Sequence, residues 1–371
     1  MKEMKRYRII IGGGGTGGHI FPAISIANAL ARMLENPIFL FVGARGKLEM
    51  EKVPEAGYEI KGLPVAGFQR KLSWRNVTFF FKLLRSMQIS RRLISTFRPD
   101  IAIGVGGYAS GPIVKAAARK KIPVLIQEQN SYAGMTNRLL AKAAARICVA
   151  YPGMEKYFPV EKIVLTGNPI RQDLLLPADE QEKSFSHFGL LPGKKVILLI
   201  GGSLGARTMN ESVIRNIDEV AGSDVQLIWQ SGSYYFEAAQ RALEGSGAKN
   251  IILLPFIKEM NRAFQVADLI ISRAGAGTIS ELCLVGKPVI LVPSPNVAGN
   301  HQMSNAKALT DRRAGVLVKD SEAVNKLVGT ALELVHHEEK KRALSENIKK
   351  FAITDSAERI AEEVIQLLEK K

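Results

Sequence analysis

Ile9-Ile10-Ile11-Gly12-Gly13-Gly14-Gly15-Thr16-Gly17-Gly18-His19-Ile20-Phe21-Pro22 decides the fold class. An apolar β-branched run enters six glycines in seven positions, and an apolar helical pattern follows from Ile20 to Leu34. The order is strand, tight loop, helix start. Glycine takes positive φ freely and lets backbone N–H groups approach a ligand, and the helix start adds unpaired donors and a positive dipole end. Gly-x-Gly-x-x-Gly alone is weak evidence, because many α/β turns need glycine for packing. His19 stands where the loop hands over to the helix. It is either a hydrogen-bonded helix-start residue or a general base with a pKa near neutrality.

The following strand, expected over Pro37–Val42, ends Val42-Gly43-Ala44-Arg45. A dinucleotide site would place an acidic residue here for the ribose. Its absence takes the second element from an NAD reading, and Arg45 leaves an NADP-dependent oxidoreductase as one rival. A second glycine loop, Gly104-Val105-Gly106-Gly107-Tyr108-Ala109-Ser110-Gly111-Pro112, follows the strand Ile101–Gly104. The strand Ile122–Ile126 ends in Gln127-Glu128-Gln129-Asn130, polar residues where a parallel sheet lines its ligand crevice. A helix is expected over Tyr132–Ala145.

Gly167-Asn168-Pro169-Ile170-Arg171 reads as a hinge, after which strand-helix alternation starts again at Lys195–Ile200 and Gly201-Gly202-Ser203. The expected fold is therefore α/β, with two doubly wound Rossmann-like domains facing across a cleft. The first domain is expected over 1–167 and the second over 168–354. A last helix in 355–371, apolar at Ile360, Val364 and Leu367/Leu368, is expected to pack back on the first domain.

In the second half, Ser272-Arg273-Ala274-Gly275-Ala276-Gly277-Thr278-Ile279-Ser280-Glu281 passes from strand through small residues into a helix. Backbone N–H groups of Ala276–Thr278 suit a diphosphate. Glu281, one turn in, suits both hydroxyls of a ribose, or else is a favourable charge near a helix start. The loop at Ser203 offers a second phosphate contact. Gln302 and Asn305 share a helix face, and their amides suit sugar hydroxyls.

The 371 residues carry a net charge of +16, which asks for an anionic partner. Much of the surplus lies between residues 60 and 99, which contain no Asp or Glu. There Lys71, Arg75 and Lys82 interleave with Leu72, Trp74 and Phe79. A helix over Asn76–Phe97 would bury Val77, Phe80, Leu84 and Met87 as core. The remaining apolar groups beside basic ones fit a surface that dips into an anionic membrane. Nucleic acid fits less well, because no helix-turn-helix, RNA-recognition or zinc-finger signature occurs. A basic nucleic-acid scaffold without catalysis is the remaining rival. No apolar run is long enough for a span or a signal peptide, and a cytoplasmic protein is expected. Cys148 and Cys283 read as buried small side chains. No metal site and no cofactor are expected: Asp-x-Asp is absent and no His/Cys/carboxylate cluster has ligand spacing.

These motifs, in this order over nearly the whole chain, resemble the MurG family of glycosyltransferase family 28, the peripheral membrane N-acetylglucosaminyltransferases that form lipid II. The resemblance implies a GT-B fold and inverting, metal-independent transfer of N-acetylglucosamine from UDP-N-acetylglucosamine (UDP-GlcNAc) to the 4-hydroxyl of the acceptor. That acceptor is lipid I, undecaprenyl-pyrophosphoryl-N-acetylmuramoyl-pentapeptide. It implies donor contacts at Thr16, Gly17, Gly18, Asn130, Arg171, Ser203, Ile257, Ala276, Gly277, Thr278, Ile279, Ser280, Glu281 and Gln302. Ile257 would meet the uracil through its backbone. His19 and Glu128 are the candidate bases, and Tyr108 and Asn305 fall on the acceptor side. The basic, aromatic stretch would dock on the cytoplasmic face of the inner membrane, with other cell-wall synthesis proteins as candidate partners. A related enzyme for another UDP-sugar remains an alternative. The family commonly has His and Gln where this chain has Gln127 and Leu204, so no role is assigned to those side chains.

Overall fold

The computed structural model describes residues 6–370 except 16, 66–73, 171–173, 203 and 298–299; for 74–79 it describes backbone alone. The chain forms two compact units, one of residues 1–170 with 353–371, the other of 171–352.

In the first unit the order is β1 (Arg8–Gly12), α1 (Gly17–Met33), β2 (Ile38–Ala44), α2 (Glu49–Glu55), β3 (Ile60–Leu63), α3 (Trp74–Phe97), β4 (Ile101–Gly104), α4 (Ser110–Arg119), β5 (Val124–Glu128), α5 (Met135–Leu140), β6 (Arg146–Val149) and β7 (Ile163–Leu165). The sheet runs β3-β2-β1-β4-β5-β6-β7, and every pairing is parallel. The sheet is covered on both faces, as an all-parallel sheet must be. Ile9, Ile11, Ile101 and Ile103 pack on one face with α1. Ile10, Ala102, Val124 and Ile126 pack on the other with Ile113 and Val114 of α4.

The second unit holds α6 (Gln181–Phe188), β8 (Val196–Ile200), α7 (Arg207–Arg215), α8 (Ile217–Ala221), β9 (Gln226–Gln230), α9 (Phe236–Ser246), β10 (Ile251–Leu254), α10 (Met260–Val266), β11 (Leu269–Ser272), α11 (Ala276–Val285), β12 (Val289–Leu291), α12 (His301–Thr310), β13 (Val316–Leu317), α13 (Asp320–His336) and α14 (Glu338–Lys349). Its parallel sheet runs β10-β9-β8-β11-β12-β13. The final helix, α15 (Ser356–Glu369), returns to the first unit. Its Ile360, Val364 and Leu368 are buried in the α1 face of the first sheet. Each such side chain contributes at most about 1.5–3 kcal/mol of burial.

Three expectations from the sequence are corrected. Helix α1 starts at Gly17 rather than Ile20, so His19 lies in its first turn. The helix expected over Tyr132–Ala145 is α5 alone, followed by turns. Most consequentially, α3 does not bury the stripe expected of it: Phe80 is 60% and Leu84 53% exposed, while Ser86, Ser90 and Ile94 are buried. The small serines let α3 lie close against its neighbour, and the Ser86 hydroxyl is satisfied by the Lys82 carbonyl at 2.7 Å.

Candidate functional site

Each sheet has one place where neighbouring strands lead off in opposite directions, and an open parallel sheet binds its ligand there, at the strand carboxyl ends. In the first unit that place lies between β1 and β4, where Gly12 pairs in register with Gly104. The two glycine loops leave from these residues. They touch so closely that a Cβ at Gly107, whose φ is +78°, would overlap the Gly14 carbonyl oxygen. The His19 ring lies over the second loop: a Cβ at Gly106 would sit 2.7 Å from His19 Cδ2 and 2.9 Å from Nε2. Gly106 therefore leaves the room the imidazole occupies. His19 is half-buried, and Tyr108 is 52% exposed. Gly17 and Gly18 lie in the same turn as His19, with Gly18 exposed.

At the end of β5, the Glu128 carboxylate is only 2% exposed. It accepts hydrogen bonds from the backbone N–H groups of Asn130 at 3.1 Å and Gly134 at 2.9 Å, and from the side-chain amide of Asn130 at 3.3 Å. Burial pushes its pKa above the usual carboxylate range, against the opposing pull of those donors and of Asn137. Gln127 and Gln129, on either side, are buried as well. The Gln127 amide donates to Asn168 Oδ1 at 3.0 Å, and the Asn168 amide donates to the Gln129 carbonyl at 3.0 Å. The Gln129 amide donates to the Gln127 carbonyl oxygen of its side chain and to Val105 O. Gln127 thus belongs to a closed amide network that braces the second glycine loop.

In the second unit the corresponding place lies between β8 and β11. The loop after β11 leads into α11, whose N-cap is Gly275 in extended conformation. Glycine has no side chain with which to cap the first N–H groups, so these donors suit an anion. Ala276, Gly277, Thr278, Ser280 and Glu281 are all half-buried, whereas Ile279 is a core residue that can offer only backbone. The Ser280 hydroxyl donates back to the Ala276 carbonyl at 3.1 Å. Glu281 sits on the second turn of α11. Arg273 fixes this loop from behind. It donates to the Val292 carbonyl at 3.0 Å, to Thr208 Oγ1 at 3.2 Å and to the Asp320 carboxylate.

Three further positions are tied internally. The Ile257 N–H donates to the Gln230 side chain at 3.2 Å, so that donor is already engaged. The Gln302 carbonyl oxygen accepts from the Ser294 N–H at 2.8 Å. Asn305, expected on the acceptor side, is fully buried and donates to the Ala274 carbonyl at 3.3 Å. Its amide therefore braces the loop before α11. Thr16, Arg171 and Ser203 lie outside the described residues, as do Lys71 and Leu72 and the side chains of Trp74, Arg75 and Phe79. Lys82 is exposed on α3. Cys148 and Cys283 are free and buried, and burial pushes the Cys283 thiol up to about 12.

Residues missed by the sequence reading are Phe256, 55% exposed beside Ile257, and Glu49, which is buried against the first glycine loop. For Phe256 the one signal in the sequence was an aromatic residue in the turn Pro255-Phe256 that follows an apolar strand. Glu49 sits among other acids in 49–55 and carries none.

Comparison with known proteins covers both units. The glycosyltransferase family 28 N-terminal domain matches residues 9–149, and the glycosyltransferase family 28 C-terminal domain matches residues 196–360. The UDP-N-acetylglucosamine–N-acetylmuramyl-(pentapeptide) pyrophosphoryl-undecaprenol N-acetylglucosamine transferase of Bacteroides fragilis is 56% identical over 97% of this chain and 95% of its own length. The protein of that name from Parabacteroides distasonis is 54% identical over 99% of this chain and all of its own. Among solved structures, that of Acinetobacter baumannii MurG superposes with a TM-score of 0.78 at 27% identity, covering 98% of this chain and 100% of the other.

Proposed function

This chain belongs to glycosyltransferase family 28, and we propose that it transfers N-acetylglucosamine from UDP-GlcNAc to the 4-hydroxyl of lipid I, making lipid II. Its two parallel-sheet units are those of the GT-B fold class. The observation that carries the reading is the end-to-end likeness to transferases of that printed activity, at 54–56% identity, joined to a loop at each sheet's switch point.

On this reading the α11 start holds the donor diphosphate through the N–H groups of Ala276, Gly277 and Thr278, and Glu281 accepts the ribose hydroxyls. The Ile257 carbonyl meets the uracil beside Phe256, and Gln302 meets the sugar. Thr16, Gly17, Gly18, Asn130, Arg171 and Ser203 complete the donor contacts. His19 takes the proton from the acceptor hydroxyl as it attacks the anomeric carbon, inverting it. The leaving UDP is stabilised by backbone donors and a helix dipole, without a metal. Glu128, held by donors of its own loop, shapes the acceptor side with Tyr108 rather than acting as the base.

The site is supplied with substrate at the cytoplasmic face of the inner membrane. Phe80, Phe81 and Leu84 stand 53–67% exposed on α3, next to Lys82 and Arg85. That mixture suits an interface with anionic headgroups. No helix among the described residues is long and apolar enough to cross a membrane. The NADP-dependent alternative is disfavoured by two contacts: Arg45 donates to the Gly62 carbonyl at 3.0 Å, and a carboxylate already occupies the Gly15 N–H.

The test is transfer of labelled N-acetylglucosamine from UDP-GlcNAc to a lipid I analogue, with and without EDTA. Transfer in both is expected. A folded chain that binds UDP but transfers in neither condition has a different donor sugar or acceptor.

A further inference from the structure

The turn Phe256-Ile257-Lys258-Glu259, between β10 and α10, carries the exposed Phe256 and the buried Ile257. Its near end is held by the Ile257 N–H on Gln230 Oε1 at 3.2 Å. Its far end is held by Arg262, in the first turn of α10. Arg262 Nε donates to Glu259 Oε2 at 2.5 Å, and Nη1 donates to Glu180 Oε2 and to Ser184 Oγ, each at 3.4 Å. The Arg262 and Glu180 side chains are 24% and 25% exposed, so most of this bridge is covered. Lys183 and then Arg262 hold the Glu180 carboxyl below the usual carboxylate range, so it meets the guanidinium ionised at neutral pH. A second bridge runs alongside. The buried Ser184 hydroxyl donates to Gln265 Oε1 at 2.6 Å, and the Gln265 amide donates to the Pro177 carbonyl at 2.7 Å. Residues 177–184 follow the boundary between the two units at 170/171. Helix α10 is thus tied both to the segment that enters the second unit and to the turn that precedes the helix.

We propose that Arg262 is the positioning residue of the turn at 256–259: its planar fork joins Glu259 to Glu180 and so sets Phe256 and Ile257 for the base of the donor nucleotide. A guanidinium addresses two carboxylates and a hydroxyl at once, whereas an ammonium is a point charge without that fork. Fixing the turn before the ligand arrives spares part of the ordering cost of binding. Arg262 itself stands behind the turn and acts through it. The contact with the base rests on the proposed transferase function; the bracing of the turn does not.

The experiment uses the full chain as wild type, R262Q, R262K and E180Q. Amide hydrogen exchange is followed over residues 256–260 and over 276–282 of α11, UDP binding is measured by calorimetry, and steady-state transfer is run in parallel. In R262Q, exchange over 256–260 should rise about tenfold and exchange over 276–282 should stay within about twofold, because local opening reports the local brace. UDP should bind about tenfold more weakly, and KM for UDP-GlcNAc should rise by the same factor while kcat changes less than about twofold. E180Q should move exchange and affinity in the same direction, and R262K should fall between wild type and R262Q. Should R262Q not fold, E180Q and R262K make the same comparison. Unchanged exchange over 256–260 overturns the brace, as does an equal rise in both stretches, which marks a general loosening of the unit. A faster-exchanging turn with unchanged UDP affinity overturns its role toward the base. A wild type that binds no UDP and transfers no sugar fails the transferase reading, and the exchange comparison still decides whether Arg262 positions the turn.

Discussion

The side-chain amide of Asn137 donates to Glu128 Oε2 at 2.9 Å, and the same nitrogen donates to the Gln127 carbonyl at 3.0 Å. One buried amide therefore ties α5 to the end of β5 and fixes the carboxylate within it. Burial dominates and raises the Glu128 pKa. The folded state therefore favours the protonated group. The stability this contributes is fully present below the unfolded carboxyl pKa and is lost as pH rises through the raised folded value. Thermal melts of wild type and E128Q across roughly pH 4 to 8, from the ordinary carboxyl pKa upward, should separate. The wild type should lose stability relative to E128Q as pH rises. A pH-independent difference would show that the carboxyl keeps its ordinary value in the fold.

His19→Ala addresses the base directly. The imidazole lies against Gly106 in the first turn of α1, where removing it leaves a space open to water. Loss of a general base costs about 10²–10⁴-fold in turnover. UDP binding, measured by calorimetry, should change less than about twofold, because the base serves only the transition state. Equal loss of binding and turnover would reduce His19 to a structural part of its loop.

The exposed face of α3 gives a separable prediction. Replacing Phe80, Phe81 and Leu84 with Ser removes three side chains that contact little of their own unit, so the melting temperature should hold. If the face enters a bilayer interface at about 1.5–3 kcal/mol per side chain, partition to vesicles with anionic headgroups should fall by about 10²-fold or more. Activity on a short-chain soluble acceptor should remain. Sedimentation with such vesicles checks the first expectation, and undiminished binding would remove the docking surface.

The strands, the glycine loops and the return of the last helix were readable because each is a local pattern. β-branched runs bounded by glycine read as strands, and Ile360, Val364 and Leu368 keep a helical spacing. The face of α3 was not readable. Its sequence carries two stripes, and only the neighbours across the interface select Ser86, Ser90 and Ile94 over Phe80 and Leu84. Asn305 shows a similar limit: i, i+3 spacing puts it on the face of Gln302 but cannot say that its amide is buried against the Ala274 carbonyl. Glu49 was invisible, because a bond from Gly15 spans 34 residues and leaves no periodic trace.

Arg273 and Asp320 provide the last prediction. Their side chains are 19% and 16% exposed, and Thr208 Oγ1 donates to Asp320 Oδ1 at 2.5 Å. The three residues join the loop before α11 to the first turns of α7 and α13. Asp320 also places a negative charge at the start of α13, where the helix dipole favours it. Asp320→Ala leaves the guanidinium half-buried and unpaired by its carboxylate, at a cost of about 2–3 kcal/mol once solvent access is allowed for. Arg273→Lys keeps the charge but cannot reach Val292, Thr208 and Asp320 together, since an ammonium lacks the planar fork. Both variants should melt lower and raise KM for UDP-GlcNAc, because the loop they hold leads into the proposed diphosphate site. The double variant R273A/D320A should lose less stability than the sum of its single changes, since each single change already breaks the pair. Strict additivity in denaturant melts would mean that the two side chains act independently, and the bracing role would be lost with it.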